Sequence, residues 1–273
     1  MLADSDIERW LREDVGHRDV TNDVPGTTEG RLVAKESGVV AGLDAATAVF
    51  EYLDCAVETP VESGAAIDAG DVVLRVDGPA QSVLRGERVA VNITGHASGV
   101  ATKTRTAVDA AGSAATDSTP RIAGTRKTTP GLRGIEKRAV AAGGGDTHRL
   151  DLSHMVMVKD NHIAEMGLLH AIDHFRERAS FATKLDVEVE APADAPRAAE
   201  AGADIVLLDN MSPAETERAV DRVAASTSDA LTEASGGITV EDVPAYAETG
   251  VDIISMGSLT HSAPTLDFSF RTG

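Results

Sequence analysis

KLDVEVEAPADAPRAAEAGADIVLLDN, residues 184–210, decides the fold. A short apolar strand is predicted over 184–189, a helix over 195–201, and a second strand over 205–208 that runs into Asp209-Asn210. Strand, helix and strand in such quick succession imply parallel strands joined by right-handed crossovers. The unit repeats on both sides, with strands predicted at 121–125, 155–159, 232–234 and 253–256. Helices are predicted at 135–142, 163–179, 213–225 and 240–249. This many units favour an α/β barrel over an open sheet. No Gly-x-Gly-x-x-Gly follows a first strand, which argues against a dinucleotide-binding sheet.

The chain upstream reads differently. Residues 4–14 predict a short helix with Ser5 as N-cap and Glu8 at the capping-box spacing. A β-rich stretch over 31–40 and a helix over 43–52 follow, then apolar alternation over 57–76 around Gly-containing turns. Residues 86–108 predict a long helix, with Val89, Ile93, Ala97 and Val100 on one face. Gly95 and Gly99 in that helix mark where another helix or a partner subunit comes close. A domain boundary is placed at its far end. The first domain is 1–104, joined by 263–273, and the second is 105–262.

Composition narrows the class. The 273 residues are 42% hydrophobic and carry a net charge of −19. That charge argues against a nucleic-acid partner, whose phosphates need broad cationic surfaces. No apolar run is long enough for a bilayer, and residues 1–14 carry charges at close intervals, so a cytoplasmic protein without a membrane partner is expected. The lone Cys55 excludes an intrachain disulfide and a cysteine zinc cluster. Its place in FEYLDCAVET, at a helix-to-strand junction, suits a buried packing residue. Six lysines against nineteen arginines and twenty-five aspartates resemble the surfaces of halophilic proteins.

Against this acidity, residues 121–149 hold seven cations: Arg121, Arg126, Lys127, Arg133, Lys137, Arg138 and Arg149. Glu136 and Asp146 are the only carboxylates there. Such a segment in an acidic chain predicts a pocket for a multiply charged anion. In α/β barrels functional groups gather where strands end, and every predicted strand here ends in such groups. These are Arg126-Lys127, Lys159-Asp160-Asn161-His162, Glu188 with Glu190, Asp209-Asn210, Ser235-Gly236-Gly237 and Gly257-Ser258. The last two suit phosphate, because Gly and Ser leave backbone N–H groups open to an anion. Glu188 and Asp209, at neighbouring strand ends, have three uses open to them: binding Mg²⁺, hydrogen-bonding ribose hydroxyls, or stabilising a cationic transition state. Glu190 shares the parity of Glu188. His148-Arg149, after the Gly143-Gly144-Gly145 loop, can be carried into the site by that loop.

Eight blocks then carry a resemblance: ERVAVNITGHASGVA (87–101), TRKTTPGLR (125–133), EKRAVAAGGGDTHR (136–149), VKDNHI (158–163), VEVE (187–190), LLDNM (207–211), EASGGI (233–238) and GSLTHSAPTLD (257–267). Long and in order, they resemble quinolinate phosphoribosyltransferase over nearly the whole chain. The resemblance implies an α/β fold with an N-terminal α/β sandwich domain and an open, incomplete α/β barrel. It implies a glycosyltransferase of the pentosyl-transferring type. With Mg²⁺, quinolinate and phosphoribosyl pyrophosphate would give nicotinate mononucleotide, pyrophosphate and CO₂ in de novo NAD synthesis. By position, Arg126, His148, Arg149 and Lys159 would hold the quinolinate carboxylates, with Lys127 beside substrate and pyrophosphate. Glu188 and Asp209 would contact ribose and metal. Ser235, Gly236, Gly237, Gly257, Ser258 and His261 would line the phosphate region. Arg88 would act across the interface of a homodimer, or of a hexamer built as a trimer of dimers. Three rivals stand beside this reading: a nicotinate phosphoribosyltransferase, a Schiff-base aldolase using Lys159 or Lys184, and a lipoyl- or biotin-carrier module. The last needs a hairpin lysine, and none lies between Lys35 and Lys103.

Overall fold

The computed structural model describes residues 3–115 and 118–273. Elements run α1 (Asp4–Val15), β1 (Thr27–Ala34), β2 (Gly38–Val39), α2 (Leu43–Tyr52), β3 (Ala56–Glu58), β4 (Ala66–Ile67), β5 (Val72–Pro79) and α3 (Ala80–Ala114). Then come β6 (Arg121–Ala123), α4 (Arg133–Ala142), β7 (Val156–Val158), α5 (Asp160–Met166), α6 (Leu168–Arg178), β8 (Leu185–Val189) and α7 (Ala195–Glu200). The chain closes with β9 (Ile205–Asp209), α8 (Pro213–Ala224), β10 (Leu231–Ser235), α9 (Val243–Ala247), β11 (Ile253–Ser255), α10 (Ser258–His261) and β12 (Phe268–Thr272). The chain divides into two compact units, one within Met1–Arg105, Gly131–Gly144 and Ala263–Gly273, the other within Thr106–Pro130 and Gly145–Ser262. Helix α4, assigned from sequence to the second domain, groups with the first unit.

The first unit is built on an antiparallel sheet in the order β12-β1-β5-β3. Alternate residues of β1 and β5 turn inward, so Leu32, Leu74 and Val76 meet Phe50 of α2 and Val83 of α3 in one apolar core. Each large side chain buried there contributes about 1.5–3 kcal/mol. Phe50 stacks on Phe270 with ring centroids 5.8 Å apart, tying the C-terminal strand to α2. Cys55 is buried between α2 and β3. Helix α3 outruns its sequence prediction and is 35 residues long. What approaches Gly95 and Gly99 within the chain is the C-terminal segment, not a second helix. A Cβ on Gly99 would lie 1.9 Å from the carbonyl oxygen of Pro264, and Leu266 N–H donates to Gly95 O at 3.1 Å. At α1, Ala3 rather than Ser5 is the N-cap and no side chain caps it, leaving Asp4 and Asp6 to meet the helix dipole.

The second unit holds six parallel strands in the order β6-β11-β10-β9-β8-β7. Its edge strands β6 and β7 are not paired with each other, so the barrel is open and incomplete. Helices α6, α7 and α8 bury Ile172, Ala198 and Ala219 against Val187, Val206 and Leu208 on one face. On the other face Ala123, Met155, Ile205 and Ile253 make a small apolar floor. The single helix predicted over 163–179 is two, because Gly167 at φ 76° breaks it. Among the described residues no helix is long and apolar enough to cross a membrane.

Candidate active site

Above that floor, at the C-terminal ends of the parallel strands, lies a cavity of about 600 Å³. Successive strand residues point to opposite faces, so every second residue enters it: Met157 and Lys159, Glu188, Leu207 and Asp209, Glu233 and Ser235, and Ser255. Loops add Arg126, Lys127, His148, Arg149, Gly236, Gly237, Gly257, Ser258 and His261. Of the seven cations in 121–149, only Arg126, Lys127 and Arg149 line this cavity: Arg121 lies 3.7 Å from Asp146, Arg138 pairs with Asp44 at 2.9 Å, and Arg133 and Lys137 lie on α4. Asp160, Asn161 and His162 at the end of β7 are also outside the lining. Every residue to which the resemblance gave a role lines the cavity except Arg88. That side chain is 59% exposed on α3 of the first unit, 3.5 Å from Glu87. Glu190, of the same parity as Glu188, is exposed and lies outside the cavity, while Glu188 is 6% exposed.

The cations are held from several elements. Lys127 is anchored through its backbone: its N–H donates to Thr125 Oγ1 at 3.0 Å, and Thr260 Oγ1 donates to its carbonyl at 2.6 Å. Arg149 is buried, and its Nε donates to the Asp151 carbonyl at 3.2 Å. Burial, then the neighbouring Arg126 charge, lowers the pKa of Arg149. The Lys159 ammonium donates to Glu188 Oε2. Burial, and then the charge of Glu188, raises the Asp209 carboxyl above its usual range, opposed by a hydrogen bond from the Asn210 amide. Three carboxylates, Glu188, Asp209 and Glu233, and four cations thus face one cavity, which suits an anion with a cationic centre close by.

The phosphate end is shaped by backbone. Gly236 has φ 104°, and a Cβ there would sit 2.3 Å from Asn210 Oδ1, so only glycine lets β10 turn against Asn210. Gly257-Ser258 opens the short α10 on the opposite wall.

Sequence reasoning gave no role to a buried acidic group under the cavity. Glu233 Oε2 lies 2.8 Å from His148 Nε2. Asp186 of β8 is fully buried, and neither of its oxygens has a hydrogen-bond partner. Burial, then the adjacent Glu233, pushes its carboxyl well above the ordinary range. The signal was in the sequence: Asp186 stands two residues before Glu188 and Glu233 two before Ser235, hence on the same inward face. Asn210, singled out with Asp209 as a strand end, lines the cavity, as do Thr125, Thr239 and Ser255, which were not singled out for it.

Comparison with known proteins meets this geometry. The family model described as the quinolinate phosphoribosyl transferase C-terminal domain matches residues 100–271, and its N-terminal counterpart matches 19–98. The probable nicotinate-nucleotide pyrophosphorylase [carboxylating] of Methanothermobacter thermautotrophicus is 43% identical over 272 residues, 97% of either chain. The human nicotinate-nucleotide pyrophosphorylase [carboxylating] is 42% identical, covering 97% of this chain and 90% of that one. The crystal structure of NadC from Streptococcus pyogenes superposes with a TM-score of 0.90 at 41% identity, over 98% of this chain and 95% of that one.

Proposed function

The chain belongs to the quinolinate phosphoribosyltransferase family, and from that premise we propose how its cavity carries out the reaction. The enzyme transfers the phosphoribosyl group of phosphoribosyl pyrophosphate to the ring nitrogen of quinolinate. The products are nicotinate mononucleotide, pyrophosphate and CO₂, a step of NAD synthesis. The observation that carries the residue assignment is the convergence of Arg126, Lys127, Arg149 and Lys159 on one cavity with Glu188 and Asp209.

Quinolinate is a dianion and its co-substrate carries more charge still, so cations must hold the two together away from water. Arg126, His148, Arg149 and Lys159 bind the two carboxylates, and Arg149, buried, gives a fixed bidentate fork. Ser235, Gly236, Gly237, Gly257, Ser258 and His261 receive the phosphate groups, with Lys127 between them and the pyridine ring. As the C1′–pyrophosphate bond breaks, positive charge develops on the ribose, and Glu188 and Asp209 stabilise it. The ring nitrogen attacks C1′ and becomes a pyridinium. The adjacent carboxylate leaves as CO₂ with its electron pair retained on the ring carbon, stabilised by the pyridinium and the cationic wall, until that carbon takes a proton.

The donor set suits Mg²⁺: hard carboxylate oxygens at neighbouring strand ends, one of them raised in pKa by burial and by the other, beside a phosphate site. Glu188 and Asp209 would hold the ion, which when bound supplies charge neutralisation to the departing pyrophosphate. Arg88, away from this chain's cavity lining, serves the site of a second copy in a homodimer or a trimer of dimers. The test is a product assay in concentrated KCl with Mg²⁺ and phosphoribosyl pyrophosphate, offering quinolinate or nicotinate separately. Nicotinate mononucleotide with CO₂ from quinolinate alone is the expected result. Turnover of nicotinate alone, or of neither by folded protein, overturns the reading.

A further inference from the structure

Beneath the quinolinate end of the cavity, His148 meets two carboxyl groups to which the proposed function gives no role, Glu233 and Asp186. His148 Nε2 lies 2.8 Å from Glu233 Oε2, with the two side chains 8% and 1% exposed. Asp186 completes the group, each residue having a ligand atom within 4.8 Å of the others. The ring is held from its backbone as well. His148 sits at φ 52°, a left-handed conformation costly for a side-chain-bearing residue, and its N–H donates to Asp146 Oδ1 at 2.7 Å. Such a conformation persists only where its surroundings insist on it. The groups facing the imidazole are Glu233 from β10, Asp186 from β8, Asp146 at its backbone and Arg149 next in the chain.

We infer that Glu233 is the positioning residue of His148, holding Nε2 so that Nδ1 is the nitrogen offered to a substrate carboxylate. This rests on the reading that His148 binds quinolinate. A neutral imidazole has one N–H. With that proton on Nε2, Nδ1 presents a lone pair and repels a carboxylate. With the dianion bound, a proton stands on each nitrogen, one shared with Glu233 and one with the substrate. The buried Glu233 charge balances the imidazolium from behind, as carboxylates do behind metal-bound histidines. Glu233 Oε1 has no hydrogen-bond partner, so the carboxylate is committed to the imidazole through Oε2. A cavity-lining residue two places before Ser235 thus acts on the acid substrate rather than on the phosphates.

Glu233→Gln keeps the shape and an acceptor for Nε2–H while removing the charge. In the holoenzyme with Mg²⁺, it should raise the KM for quinolinate roughly tenfold or more, with the KM for phosphoribosyl pyrophosphate within about twofold of wild type. His148→Ala should raise the quinolinate KM as well, and adding Glu233→Gln to it should cost little more, because both act on one contact. Nitrogen-15 spectra of the His148 ring with quinolinate bound should change between wild type and Glu233→Gln. Should Glu233→Gln not fold, Glu233→Asp keeps the charge, shortens the reach, and should move the same KM and ring signals in part. Unchanged quinolinate KM and ring signals, or additive losses in the double variant, overturn the inference while wild-type turnover of quinolinate keeps the functional reading. Wild-type protein inert toward quinolinate overturns the reading beneath it.

Discussion

Lys159, just beyond β7, and Glu188, on β8, hold each other as an ion pair, the carboxylate buried at 7% and the ammonium half-exposed at 47% side-chain exposure. The parallel pairing of Val158 with Val187 places both side chains at the same end of the sheet. Each therefore mutes the other until an anion competes for the lysine. Glu188→Gln should free Lys159, so the KM for quinolinate falls or holds, while kcat drops roughly 10²–10³-fold through loss of a transition-state charge. Lys159→Ala should raise the quinolinate KM and lower kcat together. Steady-state kinetics on both variants decide it; an undiminished kcat in Glu188→Gln removes Glu188 from the chemistry.

Gly236→Ala attacks the phosphate end through backbone alone. The residue stands at φ 104° and the new Cβ would meet Asn210 Oδ1 at 2.3 Å and Asn210 N at 2.7 Å. The Asn210 side chain can swing aside, but the contact with its backbone N does not relax without moving the end of β9, where Asp209 sits. The substitution should cost about 1–3 kcal/mol of stability and raise the KM for phosphoribosyl pyrophosphate more than that for quinolinate. Thermal melts and the two KM values read this directly, and equal rises in both would mean a general loss of structure.

Much of this was legible beforehand, and the failures have physical reasons. Strand ends declare themselves because a charged or glycine-rich cluster after an apolar run is locally conspicuous, as at Asp209-Asn210 and Ser235-Gly236-Gly237. Asp186 and Glu233 were passed over because a carboxylate inside a strand is ambiguous until the inward face is known, and register settles that face. Gly99 was recognised as a point of close approach, but its neighbour, Pro264, lies far along the chain, where local pattern carries no information. Gly167 splits the α5–α6 stretch by a positive φ that an apolar repeat spanning it conceals.

Asp19 provides an acid-side signature. Its carboxylate accepts from Arg85 Nε at 2.7 Å and from the backbone N–H groups of Thr21 and Asn22 at 3.0 Å each. Led by the Arg85 contact, these hold it well below the usual carboxylate range. A depressed folded pKa means the unfolded chain binds the proton first, so the stabilisation is complete above the unfolded value and fades as pH falls through the folded one. Asp19→Asn should be less stable than wild type at neutral pH, with the gap closing steadily below about pH 4. Urea melts across that range check it; a gap independent of pH would mean the hydrogen-bond geometry, not the charge, matters.

Should Glu188 and Asp209 hold Mg²⁺ as proposed, metal dependence would tell the two strand ends apart. Chelation should abolish turnover, and added Mg²⁺ should restore it. In Asp209→Asn the Mg²⁺ concentration for half-maximal rate should rise roughly tenfold or more, as for a lost oxygen ligand among few. With the acid substrate assigned to Arg126, His148, Arg149 and Lys159 in the proposed function, the KM for quinolinate should stay near wild type. An unshifted Mg²⁺ requirement would leave Asp209 as a ribose contact only.

Arg88, alone among the residues given a role by the resemblance, is absent from the cavity lining; it is exposed on α3 with its guanidinium 3.5 Å from Glu87. A long cation costs side-chain entropy to immobilise and gains little from one neighbouring carboxylate; the proposed function gives it another partner. If that partner is the substrate in a second copy, each site takes Lys159 from one chain and Arg88 from the other. Arg88→Ala and Lys159→Ala should then each be nearly inactive. Mixed and allowed to exchange subunits, they should regain activity, since one site of each hybrid dimer has both cations. Random pairing in a dimer puts half the chains in hybrids and repairs one of their two sites, so recovery should approach about a quarter of wild type if sites act independently. Verified exchange without recovery would assign Arg88 to its own chain or to no site.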